Sequence, residues 1–198
     1  MAYTDFSLER LQDELGINNR IKSLFGALPL IEPSEWLQHS LKIAQKLPLR
    51  SEKAKSEAIV YPILTELRER NNDFFTIHSG DTLNGDDAIG LKGECDFILA
   101  KEVGSFTIGY PIIQVVEAKR NDIDGGVAQC AAQMVGAQRY QQRKNLSAPT
   151  IYGCVTIGTE WLFMQIDDNT VYIDNKKYFL NELPQILAVF QAIIDKFN

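Results

Sequence analysis

Gly93-Glu94-Cys95-Asp96-Phe97-Ile98-Leu99 and Ile112-Ile113-Gln114-Val115-Val116-Glu117-Ala118-Lys119 are the stretches whose reading decides the fold. Both are apolar runs of strand length that carry charge at their ends. Side chains alternate faces along a strand, so Glu117 and Lys119 are expected to share a face with Ile113 and Val115, while Gln114, Val116 and Ala118 point the other way. A carboxylate and an ammonium set beside buried surface imply an ion pair or a site, because charge is costly to bury alone. Glu94, two residues before Asp96, is expected on the same strand face as Asp96.

Working outward, Ser51 to Val60 reads as the start of a helix, with Glu57, Val60, Leu64 and Leu67 on one stripe, which places Glu57 on the apolar face. Pro62 removes a backbone donor and should kink or divide that helix, at a cost of about 3 kcal/mol. Downstream, Gly125-Gly126 opens a second helix on which Gln129 and Gln133 lie one turn apart and point the same way. Asn121 to Gly126 has the look of a calcium loop but lacks its closing glutamate, so it reads as a helix-capping loop.

The order helix carboxylate, strand aspartate, strand Glu-x-Lys, helix glutamine resembles the PD-(D/E)XK nuclease superfamily over residues 51 to 144. The wider chain is similar to uncharacterised cyanobacterial members of that group, with a helical N-terminal region and a Trp161-Leu162-Phe163 strand near the end. The resemblance implies an α/β (α+β) restriction-endonuclease-like fold, a mixed β-sheet core flanked by helices. It also implies a metal-dependent nuclease hydrolysing phosphodiester bonds in nucleic acid, DNA being the expected substrate, with Glu57, Asp96, Glu117, Lys119, Gln129 and Gln133 as catalytic residues. Hard cations take carboxylates, carbonyls and waters, so Mg²⁺ or Mn²⁺ would be held by Asp96, Glu117 and the backbone carbonyl of Ala118, with Glu57 joining directly or through water. Lys119 would act electrostatically or in proton transfer beside the attacking water.

Each piece has a plainer explanation. Lys119 could simply pair with Glu117 or Asp96, Asp96 could start a turn, and helix glutamines beside alanines are ordinary contacts between elements. The alternative function is a catalytically inactive nuclease fold used as a binding or assembly module. A small-molecule acid–base enzyme using Glu117 and Lys119 lacks any phosphate loop or cofactor fingerprint.

With 198 residues, 45% of them hydrophobic, the chain can bury a core as one domain. Within 1–198, residues 1–48 form a helical N-terminal extension, 51–144 the motif-bearing core, and 150–198 C-terminal strands and a helix. No run approaches a membrane span, and the first residues lack signal-peptide character, so a cytoplasmic protein is expected. Cys95, Cys130 and Cys154 sit in apolar segments and suit buried free thiols; His39 and His78 have no ligand-spaced neighbours. The net charge of −6 weighs against phosphate binding overall. Lys53, Lys55, Arg120, Arg139 and Arg143 are nevertheless expected to flank the site as nucleic-acid contacts, although a solvated helix face would account for such basic residues as well. Oligomeric state is left open, a homodimer being one option.

Elsewhere, residues 5 to 46 read as two or three helices closed by Pro48, and Phe74 to His78 as a short strand. Asn84-Gly85 reads as a hairpin turn, with Asp81, Asp86 and Asp87 as turn residues. Strands are expected at 96–100, 106–119 (in one piece or two), 150–157, 161–166 and 171–173, and an amphipathic helix at 180–197.

Overall fold

The computed structural model describes residues 1–101, 104–145 and 150–198. After a 3₁₀ turn at Tyr3–Asp5 come α1 (Leu8–Leu15), β1 (Asn18–Lys22), α2 (Glu35–Ala44), α3 (Glu52–Lys55), a π-helical turn (Ser56–Val60) and α4 (Tyr61–Arg70). Then follow β2 (Thr76–Asp86), β3 (Leu91–Ala100), β4 (Ile112–Ala118), α5 (Ile123–Gln142), β5 (Ile151–Thr156), β6 (Glu160–Asp167), β7 (Thr170–Asp174), β8 (Tyr178–Phe179) and α6 (Leu183–Ile194). The strands form one sheet in the order β1-β7-β6-β5-β4-β3-β2, with β8 pairing on β6. β4–β5 and β1–β7 are parallel and the remaining pairs antiparallel. The expected α/β (α+β) architecture, a mixed sheet flanked by helices, is the one observed.

Two cores lie on the two faces of this sheet. On one, α5 packs with α1 and the N-terminal turn, gathering Tyr3, Leu11, Ile98, Val115, Cys130 and Met134. On the other, α2, α4 and α6 bury Leu37, Leu64, Phe97, Val116, Trp161 and Phe190. α5 is the crossover that joins the parallel strands β4 and β5, a connection no tight turn can make. All three cysteines are buried and free. Among the described residues, no helix is long and apolar enough to cross a membrane.

Several local expectations fail for physical reasons. β2 runs straight through Asn84-Gly85, and the chain reverses instead at the 3₁₀ turn Asp87–Ile89, closed by Gly90 at φ +81°. Gly85 serves close packing: a Cβ there would lie 2.4 Å from the Gly136 Cα on α5. Asp81 is a strand residue, bonded to His78 Nδ1 at 2.9 Å. The N-terminal region is not wholly helical, because Asn18–Lys22 adds an edge strand whose residues are exposed throughout and so show no alternation.

Phase slips matter more for the site. In β4 the pairing with β3 shifts between Leu99↔Gln114 and Ala100↔Ile112, leaving Ile113 as an extra residue. Ile113 therefore joins the core opposite to that of Val115, and the expected common face of Ile113, Val115 and Glu117 begins only at Val115. In β3, Cys95 and Phe97 lie in different cores although they are two residues apart, so the alternation breaks at Asp96.

Candidate active site

Asp96 and Glu117 meet because β3 and β4 pair antiparallel in the register Phe97↔Val116, which carried one residue further sets the two carboxylate-bearing positions opposite each other. Asp96 Oδ2 accepts a 2.7 Å hydrogen bond from the Ala118 amide, which ties its carboxylate across to β4. Lys119 follows the last residue of β4; its own amide donates to Thr156 O on β5 at 2.7 Å and fixes the start of the loop. Its ammonium donates to Glu117 Oε1 at 2.5 Å and to Gln129 Oε1 at 3.0 Å. Gln133, one turn further along α5 and fully buried, donates to Glu117 Oε2 at 2.6 Å. The α5 glutamines thus have distinct tasks, Gln129 orienting the lysine and Gln133 the carboxylate.

The electrostatics follow from burial. Glu117 is 2% exposed, and desolvation together with the neighbouring Asp96 carboxylate pushes its pKa up to about 7, against the pull of Lys119 and Gln133. Asp96 is raised as well, first by burial, with the Ala118 amide opposing and Glu52 adding repulsion. Burial works against the Lys119 charge, yet the Glu117 contact raises its pKa overall, so the lysine stays protonated. The cleft is therefore a place where negative charge is crowded and incompletely balanced.

A 270 Å³ pocket lies over these groups, lined by Glu52, Glu94, Asp96, Glu117, Lys119 and Gln129, with Ala2, Tyr3 and Thr4 as its far wall. A second hollow of 390 Å³ shares Glu52, Glu94 and Asp96 with it and extends along Ser56, Glu57, Tyr61, Ser79 and Phe97. The carboxylate that α3 brings to the Asp96–Lys119 group is Glu52. Glu57, expected on the apolar face, is 67% exposed on its side chain and lies 3.8 Å from Lys53 in a solvent-facing ion pair. The π-helical turn is the cause: its wider i→i+5 winding rotates Glu57 off the stripe of Val60, Leu64 and Leu67, which are all buried. Glu52 carries one sequence signal, the Ser51 cap whose Oγ accepts from Ala54 N at 3.0 Å and sets the helix start at Glu52.

The basic residues are dispersed. Lys55 spends its ammonium on the Arg120 carbonyl, stapling α3 to the β4–α5 loop, and Arg120 itself is exposed. Arg139 and Arg143 do not flank the cleft. They lie near the far end of α5, Arg143 about 21 Å beyond Gln129 at 1.5 Å per residue, and Arg143 donates to Asn84 O near the end of β2.

Among the described residues, no three His, Cys, Asp or Glu side chains come close enough to form a metal cage by themselves. Mg²⁺ does not require one, since it is commonly held by one or two carboxylates and keeps several waters. Paired carboxylates with raised pKa and no histidine or cysteine among the lining residues fit that hard cation and not zinc.

Compared with family models and with curated proteins, the sequence finds no match. Among solved structures it is similar to the type IIG restriction endonuclease BpuSI, with a TM-score of 0.44 and 18% identity over 88% of this chain. The chain spans 18% of the length of that protein. At such a distance the likeness says nothing of chemistry, which has to come from the side chains.

Proposed function

We propose that this protein hydrolyses phosphodiester bonds in nucleic acid with the help of a divalent cation, DNA being the substrate class. The observation that carries the proposal is the grouping of Asp96, Glu117 and Lys119 around one small pocket, with the lysine ammonium held between Glu117 and Gln129. Asp96 and Glu117, with the carbonyl of Ala118 and with Glu52 in reach of the same pocket, would hold Mg²⁺ or Mn²⁺. When bound, the ion would supply charge neutralisation at the phosphoryl oxygens and acidify water.

The chain's own residues supply the rest. Lys119 places a fixed positive charge where negative charge grows on the phosphoryl group, and its two acceptors keep it from swinging to solvent. In the metal-free protein burial and Asp96 bring the Glu117 pKa to about 7, and a bound cation would hold its carboxylate ionised as a ligand. Gln133 holds Glu117 in one rotamer from behind. Glu57 is withdrawn from the catalytic set, and Glu52 takes the helix position.

An inactive binding module has one observation in its favour: both Glu117 oxygens already accept strong hydrogen bonds within the fold. The deciding experiment incubates purified protein with plasmid, linear duplex and single-stranded DNA and with RNA, in Mg²⁺, Mn²⁺ or EDTA. Metal-dependent cleavage that disappears in Asp96→Asn supports the nuclease. Cleavage in none of these, or equal cleavage by wild type and variant, removes it.

A further inference from the structure

Beside the catalytic pocket, Tyr61 presents a half-exposed ring that no core requires. It stands in the first turn of α4, just past the π-helical turn, and is 47% exposed. Its ring neighbours that of Phe97, with centroids 6.3 Å apart and planes inclined by 31°, and both rings line the 390 Å³ hollow. That volume is at the lower end of small-molecule sites.

The lining of this hollow is selective in a simple way. Glu52, Glu57, Glu94 and Asp96 surround it, with Lys53 at the rim. Such a set repels a phosphate but accepts hydrogen bonds from the ring and exocyclic N–H groups of a neutral nucleobase. The adjoining 270 Å³ pocket is also rich in carboxylates but adds Lys119, so a phosphate would be received there with the lysine and a bound cation to balance it. The two share Asp96, Glu52 and Glu94, so a strand with its phosphate at Lys119 would run on toward Tyr61.

We propose that Tyr61 is the stacking platform for one unpaired base next to the scissile phosphate, so that the site takes single-stranded or locally opened nucleic acid. This rests on the nuclease assignment for the phosphate position. A base inside a duplex is paired and stacked on both faces and has no face to offer Tyr61. The scarcity of free cations around the cleft agrees with it, since stacking supplies affinity that duplex binding would have to draw from phosphate contacts.

The test is fluorescence titration of a single-stranded oligonucleotide carrying one 2-aminopurine, in Ca²⁺ to avoid turnover, with wild type, Tyr61→Phe, Tyr61→Leu and Tyr61→Ala. The same sequence as a blunt duplex, as a duplex mismatched at the probe, and with an abasic site at the probe completes the set. Wild type and Tyr61→Phe should quench the probe. Tyr61→Ala and Tyr61→Leu should abolish the quench and weaken single-strand binding about tenfold, the scale of one stacked base, while the abasic strand binds all four proteins alike. Tyr61→Leu keeps an apolar contact with Phe97 and so separates stacking from folding. Quenching by the mismatched duplex would assign a flipped base, and by the single strand alone a single-stranded substrate; both uphold the platform. Equal affinity of wild type and both non-aromatic variants, or binding by wild type of neither the single strand nor the mismatched duplex, overturns it. Stacking without any cleavage would remove the nuclease and leave the platform standing. Cleavage and binding unchanged in Tyr61→Ala would do the reverse.

Discussion

Glu117 Oε1 and Lys119 Nζ lie 2.5 Å apart at the end of β4, held from α5 by Gln133 on the acid and Gln129 on the amine. The pair is half of a four-residue lattice, and Asp96 faces it from β3. A plain ion pair would leave Lys119 with one acidic partner and no need for Gln129. Here the ammonium has two acceptors, yet 20% of its side chain remains open to the cleft.

Lys119→Ala separates catalyst from scaffold. If the ammonium stabilises transition-state charge, cleavage should fall by about two to three orders of magnitude, with divalent-metal affinity kept or raised. If it is only the partner of a buried carboxylate, the loss should appear in thermal stability, with activity per folded molecule unchanged. Rates and melting curves on one preparation decide between them, and cleavage at the wild-type rate would end the catalytic role.

The crowded carboxylates predict an unusual pH dependence for the metal-free fold. Glu117 binds its proton more tightly folded than unfolded, its pKa moving from 4.5 to about 7, so stability should fall as pH rises through that window. Asp96, also raised, acts with the same sign. Glu66 is buried too, but hydrogen bonds from Ser34 and Arg70 hold it below the usual range, and its contribution is lost only at lower pH. Denaturant unfolding in EDTA at about pH 5 and about pH 8 should show a steeper decline for wild type than for Asp96→Asn. The opposite ranking would refute the coupling.

Metal should reverse that decline. A cation that binds only the folded protein stabilises it by about 2.7 kcal/mol at a hundred times its dissociation constant. Mn²⁺ or Mg²⁺ should therefore raise the melting temperature near neutral pH, and the rise should vanish in Asp96→Asn. An equal rise in both proteins would place the metal elsewhere.

Gly85 offers a test of the fold apart from the site. Its substitution by alanine would drive a Cβ against the α5 backbone, which has no side chain to yield, and should cost about 1–3 kcal/mol. A hairpin-turn role would make Gly85→Asn tolerable, because asparagine adopts positive φ readily. Close packing makes it worse than alanine, and chemical denaturation of both variants ranks the two explanations.

The strand pairing and the glutamines were legible because each depends on a period that the residues display. Phe97, Ile98, Val115 and Val116 could only be central strand, and Gln129 and Gln133 could only share a helix face. The failures share one origin. A single extra residue at Ile113, the break of alternation at Asp96 and the π-helical turn at Ser56–Val60 each shift the phase of a periodic pattern without changing its composition. A period carried across such a slip puts residues on the wrong face, which is how Glu57 was expected on the apolar face when it lies in solvent and Glu52 lines the pocket.

That exchange makes the last prediction. Glu52 opens α3, lines the pocket that holds Glu117 and Lys119, and adds repulsion to Asp96; Glu57 lines only the outer hollow and pairs with Lys53 in solvent. Glu52→Gln keeps the shape and removes the charge, so it should weaken divalent-metal binding and relieve the metal-free protein of one repulsive neighbour. Its melting temperature in EDTA should rise slightly, and its response to Mn²⁺ should shrink. Glu57→Gln breaks an exposed ion pair worth at most about 1 kcal/mol and should leave metal response and cleavage at wild-type levels. Isothermal titration of Mn²⁺ into both variants, beside cleavage assays at saturating metal, reads the difference directly. If Glu57→Gln loses metal and Glu52→Gln does not, the helix carboxylate has been misplaced, and the π-helical turn would have to rewind before the metal could bind.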